Sequence, residues 1–377
     1  MKQDNDLRNN LKSIRTRLGM SQQDLANLAG VTRQTISGVE SGQYAPSVAI
    51  TLRLAKALGC QVEDLFWLEQ DLPEIEAVLA KPVPHLQQMR VSVARVAGQW
   101  IAYPLIGKDA FRQDMIPADG EGEKLANTDK LRVRLLDDNI NTLSNTVVIA
   151  GCSPVISLWA RATERWHPQL RVQFNFANSM AALHSLCRGE AHIAGMHLYD
   201  QQTGDYNTPF VRQVLAGREA VLITLGVWEE GLMVQSGNPK GISSLTKLVE
   251  IGATIVNREV GSGSRLLLEQ TLQKEQLPFH TVQGFDHIVK SHQDVAQVVA
   301  SGIADVGIST ASVAAAFGLG FIPLHQSRYD LVILKEYLEE SPVQQLLSTL
   351  GHRLVHSQLE VLGGYDISKI GEVVATI

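Results

Sequence analysis

The sequence predicts a multidomain protein in which an all-α module comes first and an α/β body of two lobes follows, with a small β-containing connector between them. Three observations carry that expectation. Residues 21–42 form two short helical patterns around a tight turn, and from Thr146 onward strands, small-residue turns and helices alternate. The length of 377 residues is also too great for one ordinary domain. The expected boundaries are 1–70 for the helical module, 71–145 for the connector and 146–377 for the α/β body.

Within the first module, Ser21 followed three residues later by Asp24 has the form of a capping box. Leu25, Leu28 and Ala29 then give one apolar stripe, and Gly30 ends the helix. Thr32 is placed to cap a second helix, in which Ile36 and Val39 point inward while Arg33, Gln34 and Ser37 project from the other side. Arginine suits O6 and N7 of guanine, glutamine suits N6 and N7 of adenine, and small hydroxyls fit beside either. Thr32, Arg33, Gln34, Thr35 and Ser37 are therefore the candidate base-reading residues. Gln22 opens the first helix of the pair and is the candidate phosphate contact, through its backbone N–H and its amide.

On these residues the segment from about Leu7 to Phe66 resembles the XRE-type, phage-repressor-like helix-turn-helix domain, which implies five helices and binding to double-stranded operator DNA. Leu7, Leu11, Ile14 and Leu18 would line the first helix. Ser47 after Pro46 would open the fourth, carrying Leu52, Ala55 and Leu58, and Val62, Leu65 and Phe66 would close the unit. The resemblance also implies an ion pair between Arg15 and Glu40.

The net charge is −6, and the helical module is close to neutral, so DNA affinity cannot rest on a strong basic field; a homodimer on a defined site is expected. The three cysteines, Cys60, Cys152 and Cys187, form no CxxC pair, and no apolar run reaches spanning length or resembles a signal peptide. A cytoplasmic, reduced protein without membrane contact is the expectation. Pro73, Pro82 and Pro84 mark the boundary after the first module. Alternation around Gly98-Gln99 reads as a short hairpin, and Ala118 to Lys130 reads as a polar loop.

In the α/β body TVVIAGCSP, RVQFNF and AHIAGMHL read as strands of a βαβαβ beginning. ATIVN, FHTVQGF, ADVGIS and GFIPL read as a second set, with helices starting near Ser264, Ser291 and Thr310. Ligands in such lobes sit at the carboxyl ends of strands, where helix N-termini aim N–H groups outward. Arg258 with Gly261-Ser262-Gly263-Ser264-Arg265 has the composition of an anion cradle, although it matches neither a Walker loop nor a dinucleotide fingerprint. Gly151-Cys152-Ser153 and Asn178-Ser179 are further donor sets at strand ends.

The segment from Thr146 onward, through VIAGCSP, AGMHLYD, TGDYNTPFVR, NREVGSGSR, ADVGIS and LGGYD, is similar to the periplasmic-binding-protein-like domain related to molybdate-binding proteins. That resemblance implies a cleft closing on a small solute, with Ser153, Asn178, Ser179, His197, Tyr206, Asn207, Ser262, Ser264, Arg265 and Ser309 as candidate contacts beside Arg258 and Gly263. Molybdate or tungstate fits the kinship; Arg258, Arg265, His197 and Tyr206 would equally serve a carboxylated organic molecule. The histidine groups 184/192/197 and 280/287/292 lack metal-site spacing, so neither a metal nor another cofactor is expected. G-x-S-x-G, HExxH and kinase signatures are missing, which favours a regulator over an enzyme acting on a phosphorylated or carboxylated molecule.

Overall fold

A computed structural model describes residues 7–68, 73–83, 87–110, 115–126 and 128–377, in two units that divide between Pro73 and Glu74. In the N-terminal unit the order is β1 (Leu7–Asn9), α1 (Leu11–Arg17), α2 (Gln22–Ala29), α3 (Arg33–Glu40), α4 (Val48–Leu58), α5 (Val62–Leu65) and β2 (Phe66–Leu68). Side-chain caps set the helix starts. Ser21 Oγ accepts from the Asp24 N–H at 3.1 Å while Asp24 Oδ2 accepts from the Ser21 N–H at 2.9 Å, and Thr32 Oγ1 accepts from the Thr35 N–H at 3.1 Å. Leu11, Leu25, Ala26, Ile36, Leu54 and Leu65 make the core.

Four residues of the apolar stripes fall elsewhere than expected, among them Leu18, which follows the last residue of α1 and is 47% exposed. Leu7 belongs to β1, which pairs with β2, rather than to the first helix. Leu28 and Leu52 are 62% and 57% exposed, because the buried stripes run through Leu25, Ala26 and Ala29 in α2 and through Leu54, Ala55 and Leu58 in α4.

The second unit begins with a closed five-stranded barrel of β3 (Glu74–Leu79), β4 (Gln88–Val96), β5 (Gln99–Pro104), β6 (Gly120–Lys124) and β7 (Lys130–Leu135), in the order β3-β5-β4-β6-β7. The expected hairpin is β4–β5. The expected polar loop, by contrast, is largely β6 and the approach to β7, whose glycines at 120 and 122 leave no alternating side chains to betray a strand.

After a short helix α6 (Ile140–Ser144) come β8 (Thr146–Gly151), α7 (Val155–Trp166), β9 (Arg171–Phe176), α8 (Ser179–Cys187) and β10 (Ile193–Met196), then β11 (Tyr199–Asp200), β12 (Asp205–Tyr206) and α9 (Thr208–Leu215). The chain next crosses to the second lobe along β13 (Ala220–Val234). That lobe holds α10 (Leu245–Glu250), β14 (Ile255–Arg258), α11 (Gly263–Lys274), β15 (Ile288–Val289), α12 (His292–Ala300), β16 (Val306–Thr310) and α13 (Ala311–Ala316). The return is β17 (Gly320–Leu334), followed by α14 (Lys335–Leu338), α15 (Ser341–Ser348), α16 (Arg353–Leu362), β18 (Tyr365–Asp366) and β19 (Val373–Thr376).

One sheet runs through both lobes in the order β15-β14-β16-β13-β17-β10-β8-β9, because β13 and β17 pair antiparallel along their whole lengths, from Ala220 opposite Leu334 to Val234 opposite Gly320. The register slips between Glu230 and Gly231, a bulge at the point where the strands pass between the lobes. The expected strand FHTVQGF is instead a 3₁₀ turn at Phe279–Thr281, since backbone bonds from Phe285 to Val282 and from His287 to Gly284 fold the segment on itself. Val147, Ile149, Trp159, Leu183, Ile193 and Leu331 centre the core of the first lobe. Leu245, Ile255, Leu268 and Ile308 cover one face of the second, and Val256, Val295, Val299 and Val313 the other. Among the described residues no helix is long and apolar enough to cross a membrane.

Candidate functional site

In the N-terminal unit α3 buries Ile36 and Val39 and turns Arg33, Gln34 and Ser37 to solvent. Thr32 is exposed at the cap, and Thr35 is half-buried behind it, with the two hydroxyls 2.9 Å apart. The face is held from behind by Arg15. Its Nε donates to Glu40 Oε1 at 2.5 Å and its Nη1 to the Met20 carbonyl at 2.6 Å, with the two side chains only 11% and 5% exposed. Burial alone would raise the Glu40 pKa, but the hydrogen bonds from Arg15 and Gln22 override it and hold the carboxyl below its usual value. Gln22 Nε2 donates to Glu40 Oε2 at 2.8 Å, so its amide braces the ion pair. Its backbone N–H lies at the first helical position, where no intrahelical acceptor exists.

In the second unit the two lobes meet at a buried polar cluster. From the first lobe come Cys152 and Ser153 after β8, His197 after β10 and Tyr329 of β17; from the second come Arg258 at the end of β14, Ser264 in the first turn of α11, His292 heading α12 and Ser309 in β16. Trp228 and Glu230 of β13 stand between them. Glu230 is fully enclosed. It accepts from Ser264 Oγ at 2.6 Å and from Ser327 Oγ at 2.6 Å, and His197 Nδ1 lies 3.1 Å from its Oε2. Burial by itself would lower the His197 pKa; the Glu230 carboxylate and the Cys152 sulfur overcome it and raise it to about 10. Glu230 is held far below the carboxylate range by the same partnership. The pair is thus an imidazolium–carboxylate couple that cancels its own charge.

Arg258 has no such partner. The residue is 1% exposed, and Nε, Nη1 and Nη2 all lack a hydrogen bond among the described residues. An unpaired buried guanidinium costs several kcal/mol, about the scale of a whole buried ion pair broken on one side. His292, whose Nδ1 lies 3.1 Å from Ser309 Oγ, is driven well below its ordinary pKa by burial and then by Arg258, and stays neutral. Trp228 packs edge-on to His197 at 4.9 Å and tilted against Tyr329 at 4.9 Å, and its Nε1 is another buried donor without a partner among the described residues. The cluster therefore offers donors to an anion and carries one uncompensated positive charge.

Ser153, His197, Arg258, Gly263, Ser264 and Ser309 are brought together here. Gly263 sits against His197 so closely that a Cβ would fall 2.1 Å from the His197 carbonyl oxygen. The other expected contacts have structural duties. Asn178 and Ser262 cap α8 and α11, and Ser179 Oγ accepts from the His197 N–H at 3.2 Å. Asn207 is buried and satisfied, accepting from the Leu198 N–H at 2.7 Å and donating to Asp330 at 2.7 Å. Tyr206 donates to the Gln326 carbonyl at 2.6 Å at the rim. Arg265 turns away, to Glu269 at 2.7 Å, the Arg258 carbonyl and the ring of Phe285.

The sequence reading missed Glu230, Trp228, Tyr329 and the role of His292. A carboxylate pair interrupting the apolar run VLITLGVWEEGLMV was the available signal for the first two. The fold also gathers a group that the spacing of the histidines did not suggest: Cys152, His197 and His292 place one donor atom each within 4.8 Å of one another. Spacing along the chain could not show this, because the three residues head different elements.

Known proteins match two parts of the chain. Residues 160–351 match the PBP superfamily domain and residues 11–65 match the helix-turn-helix family. The chain is 35% identical over 199 residues to YvgK of Bacillus subtilis (strain 168), covering 53% of this chain and 64% of YvgK, so it spans less than two thirds of that relative. It is 43% identical over 65 residues to the HTH-type transcriptional regulator YgzD of the same organism, covering 17% of this chain and 98% of YgzD. Among solved structures it is similar to an ABC-type phosphate transport receptor from Vibrio cholerae, at 18% identity and a TM-score of 0.39 over 58% of this chain and 98% of that one.

Proposed function

The chain belongs to the PBP superfamily and carries a helix-turn-helix domain at its N-terminus, and from that membership we propose that it is a one-component transcription regulator whose two lobes close on a small anion and thereby change operator binding. Arg258 carries the reading. A cation with three unpartnered nitrogens, enclosed beside a self-neutralised histidine–glutamate pair, is complementary to an oxyanion or a carboxylate. Molybdate or tungstate remains our first choice of effector, with small organic acids second. Glu230, the carboxylate of the cluster, is tied to His197, Ser264 and Ser327 and so is not free to act as a base, and this supports binding over reaction. We place the protein in the cytoplasm as a homodimer that reads a pseudo-palindromic operator with Thr32, Arg33, Gln34, Thr35 and Ser37, and the backbone of Gln22 meeting a phosphate.

The test is thermal unfolding of the full chain with molybdate, tungstate, phosphate, sulfate and a panel of small carboxylates, in wild type and in Arg258→Gln. An anion at about 100 times its dissociation constant adds about 2.7 kcal/mol to the unit that binds it. That shift should vanish in Arg258→Gln and persist in Arg265→Gln. A selective shift that survives Arg258→Gln moves the effector elsewhere, and no shift with any anion removes the anion reading.

A further inference from the structure

We propose that Cys152, His197 and His292 form a transition-metal site that ties the two lobes together, holding a borderline or soft ion such as Zn2+ or Cu+ through one thiolate and two imidazole nitrogens. It shares its cleft with the effector reading, and rests on that reading only in taking the cleft as the place where the lobes close on a ligand.

Convergence is the first argument. The three donor atoms lie within 4.8 Å of one another and all three residues are buried, so the group is already gathered and need only draw in slightly to take an ion. Orientation is the second. His197 Nδ1 is engaged by Glu230 Oε2 at 3.1 Å and His292 Nδ1 by Ser309 Oγ at 3.1 Å. That leaves Nε2 of each ring as the nitrogen for an ion, and both Nε2 atoms are buried without a hydrogen-bond partner among the described residues; an ion bound there displaces the Nε2 proton of the His197 imidazolium, which is released to solvent. A carboxylate or hydroxyl on the far nitrogen is how metal-bound imidazoles are held in register. Glu230 is itself fixed by Ser264 and Ser327, each at 2.6 Å. If the histidines were only packing, burial would have left their outer nitrogens costly and unanswered.

Donor chemistry sets the class of ion. One sulfur and two imidazoles favour zinc or copper(I) over the oxygen-seeking magnesium and calcium. Charge is consistent with this choice, because a dication is balanced by the Cys152 thiolate and the Glu230 carboxylate, which leaves Arg258 as the surplus cation for an anion. An ion and an oxyanion can therefore share the cleft. The ligands also come from both sides of it, Cys152 and His197 from the first lobe and His292 from the second, so that binding an ion joins the lobes.

The full-length chain, stripped with a chelator, is titrated with Zn2+ against a chromophoric competitor and separately with Co2+ in the spectrophotometer. One Zn2+ per chain and a sulfur-to-cobalt charge-transfer band are expected. Cys152→Ser should lose the band, and Glu230→Gln, which touches no ion, should weaken Zn2+ binding about 10–100-fold. A wild-type Co2+ spectrum without that band, or equal Zn2+ uptake by wild type and Cys152→Ser, overturns the site whether or not the variants fold well. The stripped chain is titrated in parallel with molybdate and phosphate. A chain that takes anion but no metal removes this inference and leaves the effector reading standing, while one that takes metal but no anion does the reverse.

Discussion

Gly263→Ala separates lobe closure from folding. Gly263 opens α11 in the second lobe and abuts the first lobe; an added Cβ would lie 2.1 Å from the His197 carbonyl oxygen and 2.5 Å from the ring atoms Cε1 and Nδ1. Neither neighbour is a flexible chain end: the oxygen is backbone, and the ring is clamped to Glu230 at 3.1 Å. The lobes must therefore part by about 1 Å at this point to reach ordinary contact. Three bonds cross the same seam, Met180 N–H to the Gly261 carbonyl at 3.1 Å, Asn178 Nδ2 to the Val260 carbonyl at 3.4 Å, and Gln270 Nε2 to the Tyr199 carbonyl at 3.1 Å. At about 0.5–1.5 kcal/mol each their loss amounts to about 2–4 kcal/mol, so anion affinity should fall about 100-fold. The ligand-free chain, free to open, should be as stable as wild type or up to about 1 kcal/mol more so, because alanine suits a helix better than glycine. Isothermal titration with molybdate and phosphate, beside unfolding of the ligand-free chain, reads both quantities. Unchanged anion affinity, or a ligand-free chain that melts early, refutes the reasoning.

Other outcomes follow from the same geometry. Arg33→Ala or Gln34→Ala should weaken binding to a selected operator by about 1–3 kcal/mol and relax base preference at one position without altering the anion response; retained selectivity in a binding-site selection would move base readout off α3. Glu40→Ala strands the Arg15 guanidinium, itself 11% exposed, and frees the Gln22 amide, so the N-terminal unit should lose about 3–5 kcal/mol in a urea titration while the second unit melts as before. A loss below 1 kcal/mol would mean that solvent reaches the pair. His192 is buried, accepts the Val148 N–H at 2.9 Å on Nδ1, faces Glu340 at 3.6 Å, and has its pKa pushed down to about 4 by burial. Because the unfolded chain takes up a proton near pH 6.5 that the folded unit refuses until about 4, stability is full above about 6.5 and falls by about 3 kcal/mol on acidification through that window. His192→Asn, whose Oδ1 can accept the same N–H, should flatten that part of the profile; equal slopes in the two proteins would show that another group sets it.

The caps and strand ends were legible in the sequence because they depend on neighbours a few residues away. Ser21 with Asp24, Thr32, and the GSGSR turn behave as their local chemistry dictates. What escaped was set at long range. The crossing strands β13 and β17 are buried along much of their length, so they show no clean alternation, and β6 is masked by its glycines. At the cleft, hydroxyls and glycines marked the right loops, yet Arg258 and Arg265 could not be told apart without seeing Glu269 one helical turn away from Arg265 and no hydrogen-bond partner for the Arg258 guanidinium among the described residues. Cys152 and His292 met only through the fold.

The position of the barrel constrains how an effector signal leaves the cleft. Arg171, at the start of β9 in the first lobe, donates to Asp119 beside the barrel at 2.6 Å, Ser92 Oγ of β4 to Gln173 at 2.8 Å, and Tyr103 Oη of β5 to the Glu190 carbonyl at 2.7 Å. Ala94, Val96, Ile101 and Tyr103 also share one apolar core with Val147, Ile149 and Ile193. The barrel and the first lobe are therefore one packed body, and packed interiors move as wholes rather than by yielding. The second lobe joins that body through β13 and β17, with the Glu230 bulge where they pass. On the proposed reading, closure on an anion is a rotation of the second lobe against the barrel and first lobe together. A ligand changes operator affinity only insofar as that rotation has different free energies in the DNA-bound and free proteins, typically about 1–3 kcal/mol, and the same factor must appear in anion affinity when operator is present.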